Sequence, residues 1–207
     1  MAIDKLILGS AVCARFSGDL NLEKSKLSLT NARGNLLGGQ TAGSLKADFS
    51  MRPPVYSGSG NFDGVSLSSI AELMSTGWID GEGSAKYRFT TSGWNLQDLL
   101  KQSELDANFS IKDGEFPHVL LTENAEPLHS SVFSGQLLFR DGTFSLENTE
   151  LVSESGVFNV SGTASLAGDL DLKMTSENSG GYNVSGTLEQ TRVSPITNPP
   201  TQAALKP

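Results

Sequence analysis

Two histidines, His118 and His129, stand in a stretch that also holds Glu115, Glu123 and Glu126. Imidazole and carboxylate are the donors that a transition metal or a general acid–base pair would use. To hold a metal they would have to converge from a loop flanked by Pro117 and Pro127, and their spacing matches no recurrent ligand pattern. Loop or strand-edge histidines are the plainer reading. Serines and acids are plentiful enough for a Ser-His-Asp arrangement. However, no Gly-x-Ser-x-Gly elbow falls between a strand and a helix, and Gly58-Ser59-Gly60 reads as a loop. The stretch from Gly77 to Gly83 lacks the Lys and Ser/Thr of a phosphate-binding loop. Carboxylate pairs such as Asp106 with Asp113 read as solvated strand and turn residues. Asn-x-Ser triplets at Asn108, Asn159 and Asn183 carry meaning only in a glycosylating compartment. The sequence therefore points away from an enzyme, and no cofactor or metal is expected.

Composition bounds the partners. The chain of 207 residues carries 23 acids against 15 Lys and Arg, a formal charge of −8. That balance offers no footprint for a phosphate backbone, so nucleic acid is not expected, and it disfavours a basic patch on an anionic membrane. Cys13 is the one cysteine, so no intrachain disulfide and no thiolate cluster can form. That usage fits the cytoplasm or a bacterial periplasm better than a disulfide-stapled secreted domain. No run approaches the roughly 18 apolar residues of a membrane-spanning helix. The opening Lys5-Leu6-Ile7-Leu8 with Cys13 behind it hints at a lipoprotein anchor. The apolar run is short, Asp4 precedes it and Ser10-Ala11-Val12 lacks the usual leading Leu, so a strand is expected there instead.

The elements that would position any site are strands. Charged residues make up only 18% of the chain, and Ser, Thr and 22 glycines take their place, as suits edges and turns. Apolar residues alternate at Leu27 and Leu29, at Leu45, Ala47, Phe49 and Met51, and at Ala85, Tyr87 and Phe89. The pattern returns at Leu105 to Ile111, Phe133 to Phe139, Phe158 to Leu166, Leu170 to Met174 and Tyr182 to Leu188. A period of two puts one apolar face on each strand. Asp113-Gly114, Asp141-Gly142, Ala167-Gly168-Asp169 and Ser179-Gly180-Gly181 read as tight turns, because Asp and Gly tolerate positive φ. The segments around Asp113-Gly114 and Asp141-Gly142 also look like two copies of one unit: strand, basic residue, Asp-Gly, one residue, Phe.

Two stretches switch to helical spacing, Leu67 to Met74 and Trp94 to Leu100, the second with Asn95 as its cap. Both are expected to cover the sheet or plug its end. From Val193 the periodicity stops and Pro195, Pro199 and Pro200 follow. The organisation expected is thus a β domain over residues 1–192 and a disordered tail or linker over 193–207. The fold class is all-β: an extended antiparallel sheet of short strands, curved into a groove or sandwich, with two short helices.

Several segments, in order, resemble one family. The run Leu27-Ser28-Leu29-Thr30-Asn31-Ala32-Arg33-Gly34-Asn35-Leu36-Leu37-Gly38-Gly39 leads to Ala42-Gly43-Ser44-Leu45, and Gly60-Asn61-Phe62-Asp63-Gly64-Val65 leads into the first helix. Gly81-Glu82-Gly83-Ser84-Ala85 and Ser92-Gly93-Trp94-Asn95-Leu96 follow, then Phe133-Ser134-Gly135 and Val160-Ser161-Gly162-Thr163-Ala164. This succession, over roughly residues 14 to 190, resembles the C-terminal region of the AsmA family of Gram-negative envelope proteins. The family's N-terminal membrane anchor has no counterpart in the chain, which reads as a C-terminal periplasmic fragment of an inner-membrane-anchored parent.

The resemblance implies an elongated β-structure related to bridge-like lipid transfer proteins. Its apolar face would carry phospholipid between the inner and outer membranes and support outer-membrane homeostasis, without catalysis. The partners implied are a phospholipid or other acyl-chain ligand and, through the missing anchor, a membrane. Alternation nominates Leu45, Phe49, Tyr87, Phe89, Phe109, Ile111, Leu137 and Phe139 as groove residues on one face. The alternative is a structural or interaction module with a closed core, assisting outer-membrane protein assembly. A hydrolase or carbohydrate-active domain would need a convergent polar cluster that the sequence does not offer.

Overall fold

A computed structural model describes residues 1–8, 11–73, 76–122, 125–176 and 180–196. Thirteen antiparallel strands follow one another in a single open sheet, each paired with the strands before and after it in sequence. They are β1 (Ala2–Leu8), β2 (Ala11–Glu23), β3 (Lys26–Leu36), β4 (Gly39–Asp48), β5 (Val55–Ser66), β6 (Asp80–Ser92) and β7 (Glu104–Phe116). Next come β8 (Leu128–Arg140), β9 (Thr143–Ser153), β10 (Gly156–Ser165), β11 (Asp169–Ser176), β12 (Gly180–Thr187) and β13 (Thr191–Ile196). Helix α1 (Leu67–Leu73) joins β5 to β6, and α2 (Leu96–Lys101) joins β6 to β7. The chain is therefore all-β with two short helices, and one sheet takes the place of a sandwich.

The strands are longer than the alternating runs because irregular residues sit inside them. Arg15, Asn31, Asp113 and Asn148 adopt positive φ within β2, β3, β7 and β9, and Gly64, Gly81, Gly135 and Gly162 do so within β5, β6, β8 and β10. The register shifts at most of these points. A bulge inserts one unpaired residue, bends its strand and adds right-handed twist. Extra residues in β2, β3, β5, β7, β8 and β9 therefore coil the sheet, and Gly81, Gly135 and Gly162 lie opposite bulges of the neighbouring strand.

One hydrogen bond shows how far the coil goes. The Thr191 hydroxyl, at the start of β13, donates to the carbonyl of His118, two residues beyond the end of β7. Six strand steps on a flat sheet would separate β7 from β13 by about 29 Å. Thr191 also shares a register row with Leu105 at the opposite end of β7, through Phe139, Phe144, Ala164, Leu170 and Gly186. The contact is thus diagonal, with the stagger that a tilted barrel needs. No strand pairing joins β7 to β13, so the coil stays open.

The core sits inside this coil. Leu128, Phe133, Leu151, Phe158, Val160, Met174 and Val184 are buried together, and Val119 and Leu121 of the β7–β8 connection pack on them. Phe158 is only 1% exposed although, among the described residues, no second sheet covers it. Two buried hydroxyls differ in their partners. Thr149 donates to the Val160 carbonyl, whereas Ser130, 0% exposed, has no hydrogen-bond partner among the described residues.

Four sequence expectations change. Asp113-Gly114 lies within β7 as a bulge, while Asp141-Gly142 is a hairpin turn. Both aspartates have φ near +50°, 48° and 51°, so the local preference was real and its topological use differed. Gly58-Ser59-Gly60 is the middle of β5 rather than a loop. Residues 193–196 belong to β13 rather than to a tail: Val193 packs on the core, and Pro195 occupies an edge strand, where a missing N–H is tolerated. Residues 197–207 lie outside the described residues, as do Met74 and Ser179. Helix α2 buries none of its residues, so it does not cover the core as expected.

Removing the unpaired Ser130 hydroxyl is expected to help. Ser130→Ala should raise stability by about 1 kcal/mol, read as a higher urea midpoint with unchanged slope. Gly162 has φ +128°, and a Cβ there would run into the Asp171 carbonyl oxygen. Gly162→Ala should cost about 3 kcal/mol in the same assay, whereas Gly38→Ala, at φ +85° with open space around it, should cost about 1 kcal/mol.

Candidate functional site: the apolar face

Directly opposed residues of an antiparallel pair project to the same side, so the register identifies each face. One row runs Leu20, Leu29, Leu45, Gly58, Phe89, Leu105, Phe139 and Phe144 from β2 to β9. The next runs Gly43, Gly60, Tyr87, Ala107, Leu137 and Leu146. Two further rows hold Phe62, Ala85 and Phe109, and Gly83, Ile111 and Phe133. Seven of the eight groove candidates named from alternation, Leu45, Tyr87, Phe89, Phe109, Ile111, Leu137 and Phe139, therefore project from a single face. Phe49, one residue past β4, packs edge-on against Tyr56 with ring centroids 6.1 Å apart. No charged side chain falls in these rows. The opposite face carries Lys46, Lys86, Arg88, Asp106, Asn108 and Lys173.

Glycines seat the aromatic rings on this face. A Cβ on Gly58 would lie 2.7 Å from Phe89 Cε1, and one on Gly60 would lie 2.9 Å from the Tyr87 hydroxyl. The rings can lie low over the strand because those side chains are absent. Phe62 and Tyr87 stack at 5.0 Å with 19° between their planes, and Tyr87 and Phe89 follow at 6.5 Å. Burial raises the Tyr87 phenol above the ordinary tyrosine range. Sequence reasoning missed the glycine seats, since an isolated Gly-x-Gly inside a Ser-rich stretch looks like a loop. The signal that could have found them is Gly at alternate positions facing aromatics at alternate positions.

The face divides into two halves. Over β7 to β13 it is filled: Phe139 is 4% exposed, and Phe109 and Ile111 pack against the core cluster. Over β2 to β6 it is half-open, with Leu45, Tyr87 and Phe89 half-buried, Leu20 50% exposed and Phe49 45% exposed. The helices mark the ends of the open half. Leu67 of α1 lies over Gly83, and at the other end of β6 the Thr91 hydroxyl donates to the Leu99 carbonyl of α2 at 2.6 Å. Asn95 caps α2 as expected, its side chain accepting from the Asp98 amide at 2.9 Å.

Polar chemistry lies elsewhere. Asp106 sits on the outer face, where Gln136 at 3.1 Å and Arg88 at 2.5 Å hold its carboxyl below the usual range. Asp113 is in the β7 bulge, so the two carboxylates play different local roles. Exposed His129 faces Glu115 across the β7–β8 ladder, and His118 lies in the connection beyond. Glu123 is outside the described residues, and among those described no three His, Cys, Asp or Glu side chains gather as a metal-holding group. Cys13 is buried over Gly34, and burial raises its thiol. No helix of the described chain is long and apolar enough to cross a membrane. Compared with known proteins, the chain matches no protein-family model, no curated protein and no solved structure.

The Tyr87 environment gives a pH test. Because its folded-state pKa is raised, the stabilising effect is complete below the free-tyrosine value of about 10 and is lost as pH rises through the folded one. In an ultraviolet titration of the three tyrosines, one should ionise late. Tyr87→Phe should abolish that late phase and flatten the loss of stability above pH about 10.

Proposed function

We propose that this chain is a non-catalytic module that shelters acyl chains on the open half of its apolar face, as the AsmA-family resemblance implies. On this reading it is a periplasmic part of an inner-membrane-anchored protein that moves phospholipid toward the outer membrane and maintains that membrane. The observation that carries the reading is the half-open stretch of charge-free face over β2 to β6, with Leu29, Leu45, Phe62, Tyr87 and Phe89 along it. A monomeric soluble protein rarely leaves such a surface without a partner. Each methylene of a tail laid against it would contribute about 0.8 kcal/mol, so a few contacts suffice to hold a lipid while its headgroup stays in water. The filled interior of β7 to β13 favours a second reading for that half, a structural or interaction unit assisting outer-membrane protein assembly.

Mass spectrometry of lipid co-purifying with the chain, combined with site-specific photocrosslinking, tests both. A diazirine analogue of leucine at position 45 should capture phospholipid, and the same analogue at Leu172, inside the filled half, should not. Leu45→Glu should lower the co-purified lipid about tenfold, the loss of roughly two buried methylenes. A folded protein without bound lipid or crosslink at either position overturns the acyl-sheltering reading and leaves the structural one.

A further inference from the structure

The turn after β2, the loop after β4 and the α2 connection after β6 emerge from the same end of the sheet. Backbone hydrogen bonds tie them together: the Phe49 amide donates to the Ser25 carbonyl at 2.9 Å, and the Gly93 amide to the Pro54 carbonyl at 3.1 Å. Six of the sixteen large apolar side chains exposed among the described residues sit on or beside this rim: Leu22, Phe49, Met51, Trp94, Leu96 and Leu100. Trp94 and Leu96 are each 70% exposed and Leu22 67%. From these geometries we infer that the rim inserts into the interfacial zone of a lipid bilayer.

The residue chemistry selects that partner. Tryptophan, with an apolar body and one N–H donor, favours the headgroup boundary, and Leu, Met and Phe reach the acyl region beneath. Lys and Arg beside them can extend their charges back to lipid phosphates. The rim offers Lys24, Lys26, Arg52 and Lys101 against Glu23, Asp48, Asp98 and Glu104, so it is balanced within a chain of charge −8. Three of those carboxylates are already engaged: Asp48 with Lys26 at 2.9 Å, Glu23 with Lys24 at 3.8 Å and Asp98 with the Asn95 amide group at 2.9 Å. Arg52 and Lys101 have no ion-pair partner among the described residues. Binding by insertion rather than by a basic patch follows, with little dependence on salt. The inference goes beyond the acyl-sheltering reading and stands without it.

Trp94 reports on the rim directly. In Trp78→Phe protein, vesicles of phosphatidylethanolamine and phosphatidylglycerol should shift its emission to the blue, and brominated acyl chains should quench it, equally at low and high salt. Leu96→Ser with Met51→Ser should reduce the vesicle-bound fraction at least tenfold in flotation, and lipid capture at position 45 should persist. A folded protein that fails to float with vesicles overturns the inference. A blue shift that appears on raising protein concentration without vesicles overturns it in favour of a second copy of the chain on the rim. Vesicle binding with no lipid captured at position 45 leaves the rim standing and removes the sheltering reading.

Discussion

Among the described residues, the face that runs from Leu20 on β2 to Val193 on β13 has no second sheet to bury it, and the rest of the structure answers to that constraint. Apolar surface left in water costs about 25 cal/mol per Å², so a single layer can hide its face only by bending until its own side chains meet. Bulges in six strands, five of them at positive-φ residues, supply the bend, and the Thr191–His118 contact joins places that a flat sheet would hold far apart. Where the coil is tight, Phe158 and Val184 reach the burial of an ordinary core. Across β2 to β6 the same kind of face remains half-exposed, with Leu45, Tyr87 and Phe89 half-buried and Leu20 50% exposed.

That difference ties packing to function. Val119 and Leu121 belong to a connection long enough to reach into the coil, and they fill its interior beside β8 to β13. On the other side, the β5–β6 and β6–β7 connections form helices placed at opposite ends of the half-exposed stretch, whose Phe89 and Tyr87 rings lie over Gly58 and Gly60. A half-exposed face on β2 to β6 and a filled core on β7 to β13 are thus two outcomes of one repeated architecture. They are separated by what each loop does with its apolar residues.

Edges and ends follow the same logic. A long open sheet exposes two edge strands, which are liable to pair with other chains. The β13 edge carries Pro195 and is tethered through Thr191. At the end where α2 projects, apolar side chains are displayed instead of hidden, although the helix is well capped and its carboxylate is engaged.

Alternation determined most of the strands and the sidedness of Leu45, Tyr87, Phe89, Phe109, Ile111, Leu137 and Phe139, because a period of two is a property of the backbone, and helical spacing with Asn95 as cap gave the second helix. The Asp-Gly pairs marked Asp113 and Asp141 as residues that accept positive φ. Only the tertiary structure decided that Asp113 bends a strand while Asp141 ends one, since that depends on whether neighbouring strands continue past the residue. The same holds for Gly58 and Gly60: whether a glycine is a turn or a seat depends on which ring stands opposite. The division of one apolar face into a filled half and an open half was beyond the sequence for the same reason. Burial there is set by curvature summed over many strands, and no single strand carries it.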